Sequence, residues 1–459
     1  MTDAALPANA FEPVTAARQL HEISRPSLSY WQDAWRRLRR NARAMSSLYI
    51  IGALLLFTLL GPLVWRVDPA SQDVDQINQP PWADRTAIVV APYESWAGDT
   101  PRAHDTASGL QLAAPATTQS VRLTWSPTPG ASGYRIYRNI FEPGPDRAFG
   151  LPLGEIYGVD HVSFEDRLNL EAVFYYYTIV AFDADDNVLA DDARLPVRPT
   201  RVITAEAAIE RGLVDHDVQL QPGDTVRLAL HPLGTDYLGR DMLARLIFGA
   251  RVSLFIGIVA PFFYVLIGIL YGSSAGFLGG RTDQLLMRIA DFVIALPFLL
   301  FMILFKIAFG IGPGESGILP LLVALVLLSW PGTARLVRGQ ILQIRQEAYI
   351  SASRLLGAQT NYLIMRHMIP NTLGVILVTL TFAVPGAIFT EAFLSFIGMG
   401  VAPPTPSWGS MCNDGIKTML THPHELVFPA TFISVTVLAF NLLGDGLRDA
   451  LDARMRSRE

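Results

Sequence analysis

The chain has one cysteine, Cys412, in 459 residues, so no intrachain disulfide can form. Charge is scarce. Only 17% of residues are charged while 51% are hydrophobic, and the mean hydropathy is +0.31. A fully water-soluble chain of this size is richer in charge, so the composition argues for membrane spans. No stretch reads G-x4-G-K-[ST]. GIGPGESG (310–317) is glycine-rich but lacks the Lys-Ser/Thr pair, which excludes a phosphate loop in this chain. There is no H-E-x-x-H and no nucleophile–base motif, so a membrane enzyme has no support. His422-x-His424-Glu425, with Cys412 upstream, is too loose to aim two imidazoles at one ion, and no metal is expected. No cleavable leader is visible, because a long irregular polar segment precedes the first apolar run. Lysine is absent from residues 68–230, which hold 24 acids and 12 arginines, whereas the remainder holds 24 bases and 17 acids. Two regions in two environments would give this split.

Six apolar runs are present: 47–65, 252–277, 285–309, 317–334, 372–398 and 426–444. Each approaches the roughly 20 residues that cross about 30 Å of hydrocarbon. Their internal Gly and Pro are tolerable in membrane helices. WRRLRRNAR (35–43), GGRTDQLLMR (279–288), the arginines at 335, 338, 345, 354 and 366, and LRDALDARMRSR (447–458) all fall on one side of a six-span arrangement. The positive-inside rule makes that side cytoplasmic, with both termini inside and residues 68–230 and 399–425 outside. SYWQDAWRRLRR (29–40) places Trp31, Trp35 and Leu38 at helical spacing among arginines, which predicts an amphipathic helix along the membrane within a cytoplasmic segment 1–46. Residues 1–28 read as poorly ordered.

Residues 68–230 are too long for a plain loop. SVRLTW (120–125), YRIYRN (134–139) and VFYYYTIVAF (173–182) read as strands separated by turn residues. Trp125 and the alternation Tyr175-x-Tyr177-x-Ile179-x-Ala181 resemble a fibronectin type III-like sandwich over about 115–203, with Tyr175 as its corner tyrosine. These tyrosines are expected to be core and corner residues. The flanks, 70–114 and 204–230, give no readable module.

The stretch YISASRLLGAQTNYLIMRHMIPN (349–371) sits between two apolar runs, yet it is half polar. QEAYISASRLLG (346–357) has helical apolar spacing and ends at Gly357, where a helix can stop. AQTNYLIMRHMIP (358–370) begins a second helical piece, and Pro370 marks the start of span five. Two short helices joined at a glycine make a protruding knob suited to docking on another protein.

These residues carry a resemblance. The stretch is similar to the "EAA" coupling loop of ABC importer permeases, with Ser351-Ala352-Ser353 at the EAA position, Gly357 at the glycine and His367-x-Ile369-Pro370 closing it. Two serines replace the literal Glu and second Ala of that consensus. The wording EAYISASRLLGA and RHMIPN is closer to the dipeptide/oligopeptide/nickel branch, as are HPLGTDYLGRDMLARLIFGARVSL (231–254), TEAFLSFIGMGVAPPTPSWGSM (390–411) and NLLGDGLRDALDAR (441–454).

The resemblance implies an all-α polytopic membrane protein of the type I importer class, with six transmembrane helices in the bacterial inner membrane and an inserted all-β sandwich in the periplasm. It covers span one and about 231–454, that is, a permease core at 231–445 and most of a cytoplasmic tail at 446–459, but not the insertion at 68–230. It further implies a second homologous permease subunit, two ABC ATPase subunits that hold the ATP and magnesium, and a periplasmic solute-binding protein. The remaining contact is membrane lipid, and nucleic acid is not a partner. No cofactor binds this chain itself. Docking is expected on Ala352, Leu355, Leu356, Gly357 and Ala358, with Glu347, Arg354 and Arg366 as polar rim contacts and Pro370 closing the loop. Glu391 is placed to line the path or accept a peptide amino terminus, with a structural hydrogen bond as the other reading. Asp291 is read either as a path residue or as the helix partner of Arg288. Lys306 is expected to snorkel to the outer interface. Trp408 is expected to anchor the outer loop at the membrane interface. The function implied is a permease subunit for peptides or peptide-like solutes, working by alternating access. The alternative is a membrane-anchored receptor or scaffold whose outer sandwich binds a partner, which would need no glycine-hinged knob.

Overall fold

Helices take up the apolar runs because lipid leaves backbone polar groups no other partner. The computed structural model describes residues 30–98, 109–144, 149–189, 193–215, 217–309 and 316–451. The expectation for 1–28, most of the glycine-rich turn and the last tail residues lies outside the described residues.

Helix α1 (Tyr30–Arg40) is amphipathic, as its spacing predicts. Leu38 is buried in a small cluster with Ala44 and Ala450, while Trp31 and Trp35 stay 47% and 44% exposed. Asn41 starts α2 (Ala42–Val64) by accepting from the Arg43 and Ala44 amides at 3.1 and 3.3 Å.

A β region follows: β1 (Thr86–Val90), β2 (Gln111–Leu112), β3 (Val121–Thr124), β4 (Gly133–Asn139), β5 (Gly154–Tyr157), β6 (Ser163–Asp166), β7 (Tyr175–Phe182), β8 (Ala193–Val197) and β9 (Val202–Thr204), then α3 (Ala205–Glu210) and β10 (Thr225–Arg227). Strands β2-β3-β6 form one antiparallel sheet and β5-β4-β7-β8 another. The register Tyr134↔Ala181, Ile136↔Ile179 turns alternate residues into the space between them. Val121, Leu123, Trp125, Ile136, Tyr177 and Ile179 fill that space. The Trp125 and Tyr134 rings meet edge to face with centroids 5.3 Å apart. The Tyr175 hydroxyl accepts from the Glu171 amide at 2.9 Å. Buried Asp166 accepts from the Tyr177 hydroxyl at 2.6 Å and from Arg138 at 2.7 Å, so its charge is paired and hydrogen-bonded. The flanks, which carried no readable pattern, build a third sheet together with Val202 and Ile203 from the end of the expected sandwich range, in the order β10-β1-β9, parallel between β1 and β9, with α3 packed beside it.

The chain then returns to helices. These are α4 (Met242–Leu278), α5 (Gly280–Ala295), α6 (Phe298–Ala308), α7 (Ile318–Ile344), α8 (Ala348–Leu355), α9 (Thr360–Leu363), α10 (Ile369–Phe396), α11 (Trp408–Gly415) and α12 (His424–Leu451). Among the described residues, α2, α4, α7, α12 and the continuous segment Thr360–Phe396 are long and apolar enough to cross a membrane. The expected third span is instead a bent pair, α5 and α6, meeting at 82°. Pro297 cannot donate, and it holds Leu296 in an extended conformation, which breaks the run there.

The fourth span reaches further than its apolar run. Arg335 and Arg338 lie inside α7, where a connecting segment was expected. Each has an acid on α5: Arg335 pairs with Asp291, and Arg338 donates to Asp283 from Nε and Nη2, each at 2.5 Å. Asp291 therefore pairs across helices with Arg335, and not with Arg288 on its own helix.

Helices α4 and α7 pack at backbone distance. A Cβ on Gly272 would lie 2.2 Å from the Ala334 carbonyl oxygen, and one on Gly268 would lie 2.6 Å from the Thr333 Cβ. Small residues one turn apart are what allow such an approach.

Candidate functional site

The half-polar stretch forms a knob beside the C-terminal ends of α4 and α7. Its inner face is apolar: Ile350 is 1% exposed and packs with Phe277, Ile341, Leu363, Ile364 and Met368. Helix α8 ends in a full Schellman cap. The Gly357 amide donates to the Arg354 carbonyl at 3.0 Å and the Ala358 amide to the Ser353 carbonyl at 3.1 Å, with Gly357 at φ +89. The cap turns the chain away and leaves Leu355 and Leu356 at the tip, 88% and 90% exposed. Two neighbouring leucines held out by a capped helix are a ready contact for another protein.

Ala352, Gly357, Glu347 and Arg366 are exposed on this knob, whereas Ala358 is half-buried and packs inward. Arg354 leans back over the Phe277 ring, 5.0 Å from its centroid, so it ties the knob to α4. Asn371 joins the two arms by donating to the Tyr349 hydroxyl at 2.9 Å and the His367 carbonyl at 2.7 Å.

Pro370 does not begin a helix. The helix runs on from Thr360 to Phe396 through a π turn at Ile364–Met368, where the Ile369 amide donates to the Ile364 carbonyl. The widened turn absorbs the missing proline donor, so the second arm of the knob is the end of a span.

At the opposite end, the start of α4 is tied to α11 through a cluster that the sequence reading did not single out. Asp236 accepts from Arg240 Nε at 2.7 Å and from Arg245, and Asp414 accepts from Arg240 at 3.1 Å and Arg245 at 3.0 Å. All four side chains are at most 17% exposed. Asp241 caps α4 and accepts from Trp65 Nε1 at 3.0 Å, which fixes the end of α2. The run TDYLGRDMLARL was the available signal: charges at the border of an apolar run must find partners.

Glu391 and Trp408 both belong to the packing. Glu391 is fully buried and accepts from Ser253 at 2.9 Å and Ser395 at 2.8 Å, which stitches α10 to α4. Trp408 is fully buried, with Nε1 donating to the Leu246 carbonyl at 3.1 Å, so it is a core residue and not an interface anchor. Lys306 donates to the Gly398 carbonyl at 3.1 Å. His422 contacts Glu171, and His424 lies 3.4 Å from the Thr235 carbonyl. Among the described residues, no three acids, histidines or cysteines are grouped to hold a metal ion.

Residues 268–457 match the family of binding-protein-dependent transport system inner membrane components. The chain belongs to that family. Residues 29–81 match a second family, the N-terminal transmembrane domain of oligopeptide transport permease C. The oligopeptide transport system permease protein OppC of Bacillus subtilis (strain 168) is 48% identical over 226 residues, which covers 49% of this chain and 72% of that one. The dipeptide transport system permease protein DppC of the same organism is 49% identical over 227 residues, covering 49% and 69%. Among solved structures, an inward-facing conformation of the MetNI methionine ABC transporter aligns with TM-score 0.39 and 18% identity, over 46% of this chain and 98% of that one. This family member is an integral permease of the inner membrane, and the knob at 346–371 falls inside its matched region.

Proposed function

We propose that the chain is the permease subunit of an ATP-driven importer for peptides or peptide-like solutes. The observation that carries this reading is the exposed Leu355–Leu356 tip on its glycine-capped helix, within a family member whose relatives include oligopeptide and dipeptide permeases. A second homologous permease completes the path, two ATPase chains bind below the pair, and one of them docks on this knob. Their closure on ATP moves the knob and, through Arg354 and the shared apolar core, α4 and the long helix 360–396. A solute-binding protein delivers the substrate to the opposite face.

The arginine-rich ends face the cytoplasm in this reading, and residues 68–230 form an insertion on the outside. The strand orders β2-β3-β6 and β5-β4-β7-β8, the Trp125–Tyr134 contact and the Tyr175 corner bond support a fibronectin type III-like sandwich for its centre.

The test is a pull-down from solubilised membranes with this chain tagged, as wild type and as the double variant Leu355→Asp/Leu356→Asp. Both leucines touch little of the protein itself, so the fold is retained. ATPase chains and a second permease are expected with wild type, and the ATPase chains are lost from the variant. Absence of any ATPase with correctly inserted wild type would overturn the reading in favour of a membrane-anchored receptor.

A further inference from the structure

A cleft of about 760 Å³ separates the sandwich from the small third sheet. Its size lies in the range of small-molecule sites. Residues 198–201 run along it and place two arginines in its wall. Arg201 is 9% exposed, and it donates to the Asp84 carbonyl and the Gln79 side-chain oxygen, both neutral acceptors. Among the described residues it forms no ion pair. A guanidinium taken out of water without a carboxylate is costly, and an arriving carboxylate would offset that cost. Burial pushes the Arg201 guanidinium below its ordinary value, with Asp84, Asp73 and Glu171 opposing it from a distance. Arg198 is exposed, lies over the Phe174 ring at 5.6 Å and reaches the Ala172 carbonyl at 3.4 Å. It too forms no ion pair among the described residues.

The acids in the wall are otherwise engaged. Glu171 is held by Asn78 at 2.9 Å and His422 at 3.1 Å, and Asp84 accepts from the amide and hydroxyl of Thr86 at 3.0 and 2.8 Å. Two arginines without carboxylates thus face a cleft whose acids already have partners, and Phe174, 54% exposed, adds an apolar surface.

We propose that this cleft binds a small solute by its carboxylate, with Arg198 and Arg201 as the anion anchors and the free carboxyl terminus of a short peptide as the matching ligand class. The planar fork of Arg198, whose Nε alone is hydrogen-bonded among the described residues, matches a carboxylate with two parallel hydrogen bonds, and the buried charge of Arg201 adds its attraction from the wall. The choice of a peptide rests on the transport reading above; recognition of the carboxylate does not. The β region then holds a solute beside the permease, since Glu171 on the cleft wall is bonded to His422 of the helical part.

The experiment is calorimetric titration of the full chain in lipid nanodiscs. Trialanine, trialanine amide and N-acetylalanine are the three ligands used. Trialanine binds, and removal of its charge in the amide weakens binding by about tenfold or more. Arg201→Gln abolishes binding. Arg198→Glu, a surface change that leaves the fold intact, reverses the local charge and does the same. N-acetylalanine binding through the same two arginines supports the carboxylate site even if no ATPase associates with the chain, which separates this proposal from the transport reading. Equal binding of trialanine and its amide overturns the proposal. So does trialanine binding that survives both arginine variants, since the ligand then sits elsewhere, and so does an absence of trialanine and N-acetylalanine binding.

Discussion

Glu171 in the β region and His422 between α11 and α12 meet at 3.1 Å, Oε2 to Nε2, across 251 residues of sequence. Glu171 is also held by Asn78, and its amide donates to Tyr175, so one residue joins the sandwich, the chain leading into it and the helical bundle. Burial works against a charged His422. The hydrogen bond and charge of Glu171, with the charge of Glu425 added, outweigh it and hold the imidazole above its ordinary value of 6.5. The Thr421 hydroxyl meets Nδ1 of His422 at 2.9 Å, and the His424 ring lies 6.2 Å away.

The pH dependence follows from that direction. A histidine raised in the folded state contributes stability that is fully present below its unfolded value and is lost as pH rises through the folded one. The β region is therefore held more firmly in mild acid. Thermal unfolding in detergent at about pH 6 and about pH 8.5 should show Glu171→Gln costing more in acid than in base, because only there does it remove an ion pair. An equal cost at both pH values would mean that His422 carries no charge in this contact.

Gly357 has φ +89, and a Cβ built on it meets nothing within 4 Å. Space is open, so only the backbone conformation demands glycine. Alanine there should cost about 1–2 kcal/mol of local stability, with asparagine tolerated better and valine worse. The readout is binding of the ATPase chains to the purified permease, expected to fall in the order Gly, Asn, Ala, Val. Equal binding of Gly and Val variants would separate the cap from docking.

Gly272 presents the opposite case. Its helix is regular, but a methyl group would sit 2.2 Å from the Ala334 carbonyl oxygen, which is backbone and cannot swing aside. Gly272→Ala must push α4 and α7 apart, a cost of about 1–3 kcal/mol for overpacking. Gly339, with nothing within 4 Å of its built Cβ, is the matched control on α7 and should tolerate alanine. A melting temperature lowered by the first and not by the second checks the contact.

What was legible in the sequence was what length and periodicity encode. The spans, the amphipathic α1, three strands of the sandwich and the glycine-ended helix follow from runs that only one element can bury or expose. Pairing across space was not legible. Strand β9 has three residues and β10 has three, too few to show a period, and their partner β1 lies more than a hundred residues upstream. Trp408 reads as an anchor because it follows a proline-rich loop, yet α4 and α10 close over it. Asp291 has an arginine one turn away, but α7 brings a different one within reach. Pro370 marks a boundary in most helices, and here a π turn carries the helix through it.

The buried quartet Asp236, Arg240, Arg245 and Asp414 balances two charges of each sign at the start of α4. Asp236 is 1% exposed and serves both arginines, so Asp236→Asn leaves two buried cations sharing one acid. Loss of one partner from a buried pair costs about 3–5 kcal/mol. Asp414 is more open, at 17%, and has Lys417 at 4.0 Å, so Asp414→Asn should cost less. Salt should change neither result greatly, because ions screen exposed pairs and not buried ones. The decisive comparison is the double variant Asp236→Asn/Arg245→Met. If the interaction is charge pairing, removing a cation together with the anion restores balance, and the double variant should be more stable than the sum of the two single losses. Additive losses would show instead that each side chain acts through its own packing, and that the quartet does not hold α4 against α11 as one unit.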